Sequence, residues 1–134
     1  MPTHARIEVT RDGPVAVLSL DHPPGNRLTQ AMISALSSQL TALERDSTVR
    51  AVVVVGAGGR TFCDGLDEEA GASLTPKDAQ SAIQRGFDAL WALEHLTKPT
   101  VAAIEGGCRS VGAERALACD VRAASEAASF ALPE

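Results

Sequence analysis

The segment from Lys98 to Asp120 holds the residues whose types and spacing best suit chemistry. Lys98-Pro-Thr-Val-Ala-Ala-Ile-Glu-Gly-Gly and then Gly112-Ala-Glu-Arg-Ala-Leu-Ala-Cys-Asp120 predict a buried strand, a glycine-bearing turn and a helix with Glu114 in its first turn. Such a junction directs backbone N–H groups and the positive end of a helix dipole at one spot, where they stabilise a developing negative charge. Glu114 beside those donors is a candidate for proton transfer. The combination indicates chemistry on a carbonyl group.

Glu114 also has a purely structural interpretation, because an acidic residue in the first helical turn stabilises the helix by about 0.3–1 kcal/mol. The three histidines, His4, His22 and His95, have no metal-ligand spacing, and they do not assemble a Ser/His/Asp triad. We therefore predict no metal site, and surface or core roles for these histidines.

The glycines of this segment do not fit either common phosphate-binding loop. Gly107 and Gly112 have the glycine spacing of a P-loop, but Ala113 and Glu114 replace its Lys and Ser/Thr. Arg109 occupies the position of the second glycine of a dinucleotide-binding turn, where no side chain fits. Nucleotide cleavage and dinucleotide binding are therefore disfavoured.

Composition excludes other classes of function. The 134 residues are 45% apolar and carry a formal charge of −5, which argues against binding of nucleic acid, since a phosphate backbone requires clustered Lys and Arg. No apolar run approaches the roughly 20 residues of a membrane span.

Cys63, Cys108 and Cys119 are odd in number and widely spaced. They are read as buried thiols of a protein in a reducing cytoplasm.

Alternating strands and helices predict a single α/β domain with parallel strands and right-handed crossovers. The expected strands are Ile7–Thr10 and Val15–Leu20 as a hairpin or meander, Val49–Val55, Thr100–Ile104, Val121–Ala124 and Ser129–Leu132. The expected helices run from Thr29 to about Asp46, from Thr75 to about Leu96, and from Gly112 to Ala118, with a helical turn over Glu68–Ser73. On the second long helix, the residues expected to face the core are Ala82, Ile83, Phe87, Leu90 and Leu93.

Four segments of the chain resemble motifs of the enoyl-CoA hydratase/isomerase (crotonase) superfamily. Arg60-Thr-Phe-Cys-Asp-Gly-Leu-Asp67 resembles that family's Phe-Cys/Ser-Ala-Gly-x-Asp corner, and the segment Lys98–Asp120 resembles its second corner. Pro23-Pro-Gly-Asn-Arg-Leu-Thr resembles the early Asn-Ala-Leu loop, and Phe130-Ala-Leu-Pro-Glu134 resembles Phe-Gly-x-Pro-Glu. The four occur in family order and span nearly the whole chain.

The resemblance implies a ββα spiral that binds acyl-CoA thioesters and forms a homo-oligomer, a trimer or hexamer. Coenzyme A enters as part of the substrate, and no other cofactor is implied. The backbone N–H groups of Leu66 and Val111 would form the oxyanion hole for an enolate, with Glu114 and Glu134 as acid and base. The residues implied to bind the CoA ester are Arg27, Asp64, Gly65 and Asp67.

Some positions depart from the family pattern. Ser110 and Val111 replace glycines at the oxyanion hole, and Asp64 replaces the usual Ala, placing a negative charge where an enolate would form. Arg109 and Arg115 replace apolar residues. The family's chains are also roughly twice this length, so residues 1–134 are expected to be an N-terminal core without the C-terminal helical region. The competing hypothesis is a truncated or degenerate, non-catalytic module that binds CoA esters or assembles with a partner.

Overall fold

The computed structural model of the chain describes residues 4–68 and 74–133. The strands are β1 Arg6–Asp12, β2 Val15–Asp21, β3 Ala51–Gly56, β4 Thr61–Cys63, β5 Thr100–Ile104, β6 Gly107–Arg109, β7 Val121–Ala124 and β8 Ser129–Ala131. The helices are α1 Gln30–Arg45, α2 Pro76–Glu94 and α3 Val111–Ala118, with a 3₁₀ turn at Ala57–Gly59. The predicted helical turn after Glu68 lies outside the described residues.

The strands form two sheets that the chain visits in turn. A five-stranded sheet has the order β1-β2-β3-β5-β7, and a three-stranded sheet has the order β4-β6-β8. Among the strand pairs that the described residues form, only β1–β2 is antiparallel. From β3 onwards, each pass places one strand in each sheet, and a helix follows the first two passes. This is a ββα spiral, and the predicted α/β fold class is confirmed.

Helix α1 forms because its apolar residues recur on one face and its first turn is capped. The Thr29 hydroxyl accepts a hydrogen bond from the Met32 N–H at 3.1 Å, the N-cap expected from the sequence. Met32, Leu36, Leu40 and Leu43 are buried against the five-stranded sheet's core cluster. Val52 and Val54 of β3 are also buried, between parallel neighbours β2 and β5. The core therefore lies between the large sheet and α1.

Helix α2 begins as predicted but presents a different face to the core. The Thr75 hydroxyl caps Asp78 N–H, and Pro76 occupies the first turn. Ala82 and Leu93 are buried as expected, and Leu90 is half-buried. The prediction was wrong for Ile83 and Phe87, which are 61% and 62% exposed. Ala89 is buried instead, because small side chains on that face allow α2 to approach its neighbours closely.

The structure also differs from the prediction at the ends of two elements and in one additional strand. Helix α2 ends at Glu94, and β8 ends at Ala131 rather than Leu132. Strand β6 was not predicted, because its glycine at residue 107 and its three-residue length give no apolar alternation. It pairs with both β4 and β8. No helix of the described residues is long and apolar enough to cross a membrane.

The start of α3 packs directly onto the end of β4 through Gly112. A Cβ at Gly112 would lie 2.3 Å from the Cys63 carbonyl oxygen and 2.7 Å from the Cys63 Cβ. No side chain fits at such distances, so glycine is required here for close approach rather than for a left-handed backbone. This contact sets the distance between α3 and the small sheet.

We expect Gly112→Ala to lower the free energy of unfolding by about 1–3 kcal/mol, because the added methyl overpacks a backbone contact. Gly86→Ala is the matched control in α2, since a Cβ there meets nothing within 4 Å. The control is expected to be stabilising by about 0.5–1 kcal/mol. Urea unfolding of both variants measures the difference, and equal effects at the two sites would contradict the packing argument.

Candidate active site

The site forms where two loops leave neighbouring strands of the small sheet. We call residues 64–67 the first corner and residues 109–112 the second corner. Because β4 and β6 are parallel and pair at Cys63 and Cys108, their carboxyl ends bring the two corners together. A Cβ at Gly65, where φ is +120°, would lie 3.2 Å from the Ser110 Cβ. The corners are thus in direct contact.

The backbone N–H groups of Leu66 and Val111 are available to a ligand. Leu66 lies between two bonded neighbours, since Leu28 N–H donates to Gly65 O at 2.8 Å and Asp67 N–H donates to Leu28 O at 3.0 Å. Within residues 4–68 and 74–133, neither the Leu66 N–H nor the Val111 N–H donates a hydrogen bond. Unpaired N–H groups at a helix N-terminus and a strand end favour an anion.

Both corners contribute to one cavity of about 340 Å³, which we call the first cavity. Leu66, Val111 and Glu114 all line it. Its other walls come largely from α1 and α2, and the apolar residues among them include Ile33, Ile83, Phe87 and Leu90. Ile83 and Phe87 therefore face this cavity and the solvent rather than the core. Three predicted site residues are brought together around an apolar space large enough for a short acyl chain.

Glu114 belongs to the first turn of α3 and is the acidic group of this cavity. Its side chain is 48% exposed, so its carboxylate remains in contact with solvent. Its N–H donates to Ser110 O at 3.1 Å, which closes the first turn of the helix. Because Val111 and Glu114 are three positions apart on α3, they lie on the same face. Val111 and Glu114 thus line one cavity from the same face of α3.

Ser110 holds an unusual backbone conformation at the start of α3. Its φ of 54° and ψ of −127° lie in a region that side chains other than glycine rarely adopt. Its N–H donates to Ala131 O at 2.9 Å, which ties the second corner to β8. Such conformations cost on the order of 1–3 kcal/mol and persist only where surrounding contacts hold them. The second corner retains a glycine-like shape without glycine.

Arg115 is a buried cation beside Glu114 and also lines the first cavity. The residue is 2% exposed. Its Nη2 donates to the Gly86 carbonyl of α2 at 3.2 Å, and its Nη1 lies 3.9 Å from Glu114 Oε2. Its Nε is buried and has no hydrogen-bond partner among the described residues. Burial lowers the pKa of Arg115, and the charge of Glu114 opposes that effect.

Three of the four residues implied to bind the CoA ester, all except Gly65, line a second, polar cavity. His22, Arg27, Asp64, Asp67 and Glu68 line it. His22 Nδ1 lies 2.7 Å from Arg27 O and 3.8 Å from Asp67 Oδ2, so the histidine braces the loop that carries Arg27. The Arg27 guanidinium is 3.5 Å from Leu66 O. The first corner therefore separates the two cavities, with Leu66 on one side and Asp64 and Asp67 on the other.

Asp64 lies on the wall of the second cavity, where two glycines leave room for its carboxylate. A Cβ at Gly25 would lie 3.0 Å from Asp64 Oδ2, and a Cβ at Gly107 would lie 2.5 Å from Asp64 Oδ1. Asp64 N–H donates to Gly25 O at 2.9 Å. No ion pair among the described residues joins Arg109 to Asp64. Arg109 is exposed.

Glu134, the second predicted acid/base residue, lies outside the described residues. The described part of the chain contains no group of three or more His, Cys, Asp or Glu residues placed to hold a metal ion. Cys63, Cys108 and Cys119 are buried, as predicted, and burial raises the pKa of each thiol to about 11. They are protonated at neutral pH and are poor nucleophiles.

Arg115 is the site residue that the sequence did not assign. Its signal was present, because it lies between Ala113 and Ala116 on an otherwise apolar helix face and one helical turn after Val111. A charged residue at a core position indicates either a partner or a function. The sequence alone did not show which face of α3 is buried.

Comparison with known proteins gives relatives along nearly the whole chain. The sequence model of the enoyl-CoA hydratase/isomerase family matches residues 10–134. The chain is 37% identical over 129 residues to a probable enoyl-CoA hydratase of Bacillus subtilis, covering 96% of this chain and 50% of that protein. It is 34% identical over 128 residues to a carnitinyl-CoA dehydratase of Salmonella arizonae, covering 96% of this chain and 49% of that protein.

Solved structures agree with these relatives. Pseudomonas aeruginosa DspI superposes with a TM-score of 0.92 at 32% identity, over 100% of this chain and 55% of that one. An enoyl-CoA hydratase from Bacillus anthracis superposes with a TM-score of 0.87 at 32% identity, over 92% of this chain and 49% of that one. The chain spans about half the length of the curated relatives it matches. By its family match, its ββα spiral and these relatives, this chain belongs to the enoyl-CoA hydratase/isomerase family of the crotonase superfamily.

Proposed function

We propose that this protein acts on acyl-CoA thioesters as an enoyl-CoA hydratase or isomerase. The thioester oxygen accepts hydrogen bonds from the Leu66 and Val111 N–H groups, and an enolate forms during the reaction. The observation that carries the proposal is that Leu66, Val111 and Glu114 line one apolar cavity, while neither the Leu66 N–H nor the Val111 N–H has a hydrogen-bond partner among the described residues.

The chemistry follows from charge development at the thioester. When water adds to Cβ of a 2-enoyl thioester, negative charge moves to the carbonyl oxygen. Each preorganised N–H donor that meets this charge is worth roughly 3–4 kcal/mol in other enzymes. Glu114 exchanges a proton with water or with Cα, and Glu134 serves as its counterpart. General acid–base catalysis of this kind contributes typically about 10²–10⁴-fold.

Coenzyme A would extend from the corners along the second cavity. Arg27 is the cation there, and Gly65 lets the first corner approach the thioester without a side chain. Asp64, Asp67 and Glu68 make this cavity acidic, which disfavours phosphate groups at its centre. The phosphates of coenzyme A are therefore expected to meet Arg27 at the edge of the cavity. No other cofactor enters the proposal.

We expect the purified protein to hydrate crotonyl-CoA, followed by the loss of absorbance of the conjugated thioester. Glu114→Gln should lower kcat by about 10²-fold or more, because the amide cannot exchange the proton. Glu126→Gln is the matched control, since Glu126 is exposed in the turn after β7 and far in sequence from both corners. Turnover that is absent in the unmodified protein, or equal in both variants, would remove the hydratase proposal.

We expect Ser110→Gly to raise the free energy of unfolding by about 1 kcal/mol relative to Ser110→Ala, because only glycine adopts a φ of 54° and ψ of −127° without strain. Both variants lose the hydroxyl, so their difference isolates the backbone effect. Thermal unfolding measures it. Glycine can keep the backbone conformation of Ser110. If that conformation serves to aim the Val111 N–H, crotonyl-CoA turnover should therefore persist in Ser110→Gly. Equal stability of the two variants would contradict the strain.

A second candidate function is a non-catalytic module that binds CoA esters. The observation in its favour is Val111, whose β-branched side chain lines the first cavity at a position where the family has glycine. Calorimetry with acetyl-CoA distinguishes the candidates. Binding without turnover of enoyl-CoA esters supports the module, whereas binding with turnover supports the enzyme.

We also propose that the protein forms a homo-oligomer, a trimer or hexamer, in the cytoplasm. Large apolar side chains are exposed on the last elements of the described chain, at Leu117, Val121, Phe130 and Leu132. A contiguous apolar surface of this kind is typical of an interface. Sedimentation velocity should give a species larger than the 13.9 kDa chain, and Phe130→Asp should dissociate it. A monomer at micromolar concentration would contradict the assembly.

A further inference from the structure

Arg115 carries more buried charge than its contacts compensate. The side chain crosses from α3 to α2, where Nη2 meets Gly86 O at 3.2 Å. The carboxylate nearest to it, Glu114, lies 3.9 Å away and is half-exposed. The Nε–H has no hydrogen-bond partner among the described residues. A guanidinium has five N–H donors, so most of its hydrogen-bonding capacity is unused here.

A buried ion with so few partners is costly unless something else compensates it. Replacement of a buried charge by an apolar residue is often neutral or stabilising, so stability alone does not account for an arginine at this position. The residue lines the first cavity, whose other walls are mainly apolar. An apolar cavity with one unsatisfied cation in its wall suits a ligand that is apolar along its length and anionic at one point.

We propose that Arg115 is a specificity-determining residue and that the first cavity accepts acyl groups bearing a carboxylate, the CoA monothioesters of dicarboxylic acids. This inference rests on the proposed function, in which the thioester oxygen lies at Leu66 and Val111. A carboxylate accepts two parallel N–H bonds from one edge of a guanidinium, which is the geometry that an unpaired Nε–H makes available after a small side-chain movement.

The spacing on α3 sets the length of the acyl group. Val111 and Arg115 are one helical turn apart, a rise of about 6 Å. Side chains of a helix tilt toward its N-terminus, so the Arg115 side chain leans back toward Val111. An acyl chain of about five carbons, with bonds of ~1.5 Å, spans a distance of similar size. The glutaryl group has this length.

The test compares two CoA esters of equal shape by isothermal titration calorimetry. Glutaryl-CoA has a terminal carboxylate, and 5-methylhexanoyl-CoA has two methyls in place of the two carboxylate oxygens. Neither ester is unsaturated, so binding is measured without turnover. We expect the protein to bind glutaryl-CoA at least tenfold more tightly, although the cavity is mainly apolar. In Arg115→Leu the preference should reverse by at least tenfold, and Arg115→Lys should retain part of it.

Arg45→Leu is the matched control, because it removes the same charge from an exposed position at the C-terminal end of α1, outside both corners, and should leave the preference unchanged. Thermal unfolding of Arg115→Leu establishes that this variant is folded. Preference of the unmodified protein for the apolar ester, or a preference for glutaryl-CoA that survives Arg115→Leu, overturns the inference alone. If neither ester binds, the proposed function fails and the inference fails with it.

Discussion

The site depends on the approach of two backbone segments to within van der Waals contact. Helix α3 begins against the carbonyl of Cys63, and the first corner lies against Ser110, because Gly112 and Gly65 have no side chains. Parallel pairing of β4 with β6 brings these corners to the same edge of the small sheet. Any increase in that separation would move Leu66 and Val111 apart, whereas their proposed action on one oxygen requires that they stay close.

Polar residues of the sequence motifs hold this arrangement together. The Asn26 side chain accepts from His22 N–H and donates to the carbonyls of Ala57 and Thr61, which joins the early loop to the start of β4. Asp120 accepts from the N–H and hydroxyl of Thr100, which joins the end of α3 to β5. Lys98 donates to the carbonyls of Leu43 and Asp46 at the C-terminal end of α1. Each bond fixes one loop to the next turn of the spiral.

The sequence predicted elements whose signals are local and strong. Periodic leucines and a threonine cap predicted α1, and continuous valines predicted β3, because these patterns depend on neighbours in the chain. The core face of α2 was wrong at Ile83 and Phe87, since apolar residues occur on more than one side of this helix and only packing selects the buried side. Strand β6 was missed because it too depends on tertiary contacts. Its pairing with β4 and β8 is tertiary, and its sequence is too short to predict a strand.

The charge that lines each cavity depends on the direction of the side chains at and near the corners. From the sequence, Asp64 was expected beside the thioester, where its charge would oppose an enolate. In the structure Asp64 lines the second cavity, between Gly25 and Gly107, whereas the buried cation Arg115 lines the first. Because Coulomb interactions strengthen in a poorly solvated cavity, a buried arginine favours negative charge on a ligand of the first cavity. The sequence alone therefore does not determine whether an acidic or a basic residue lines the first cavity. The backbone turn at each corner determines it.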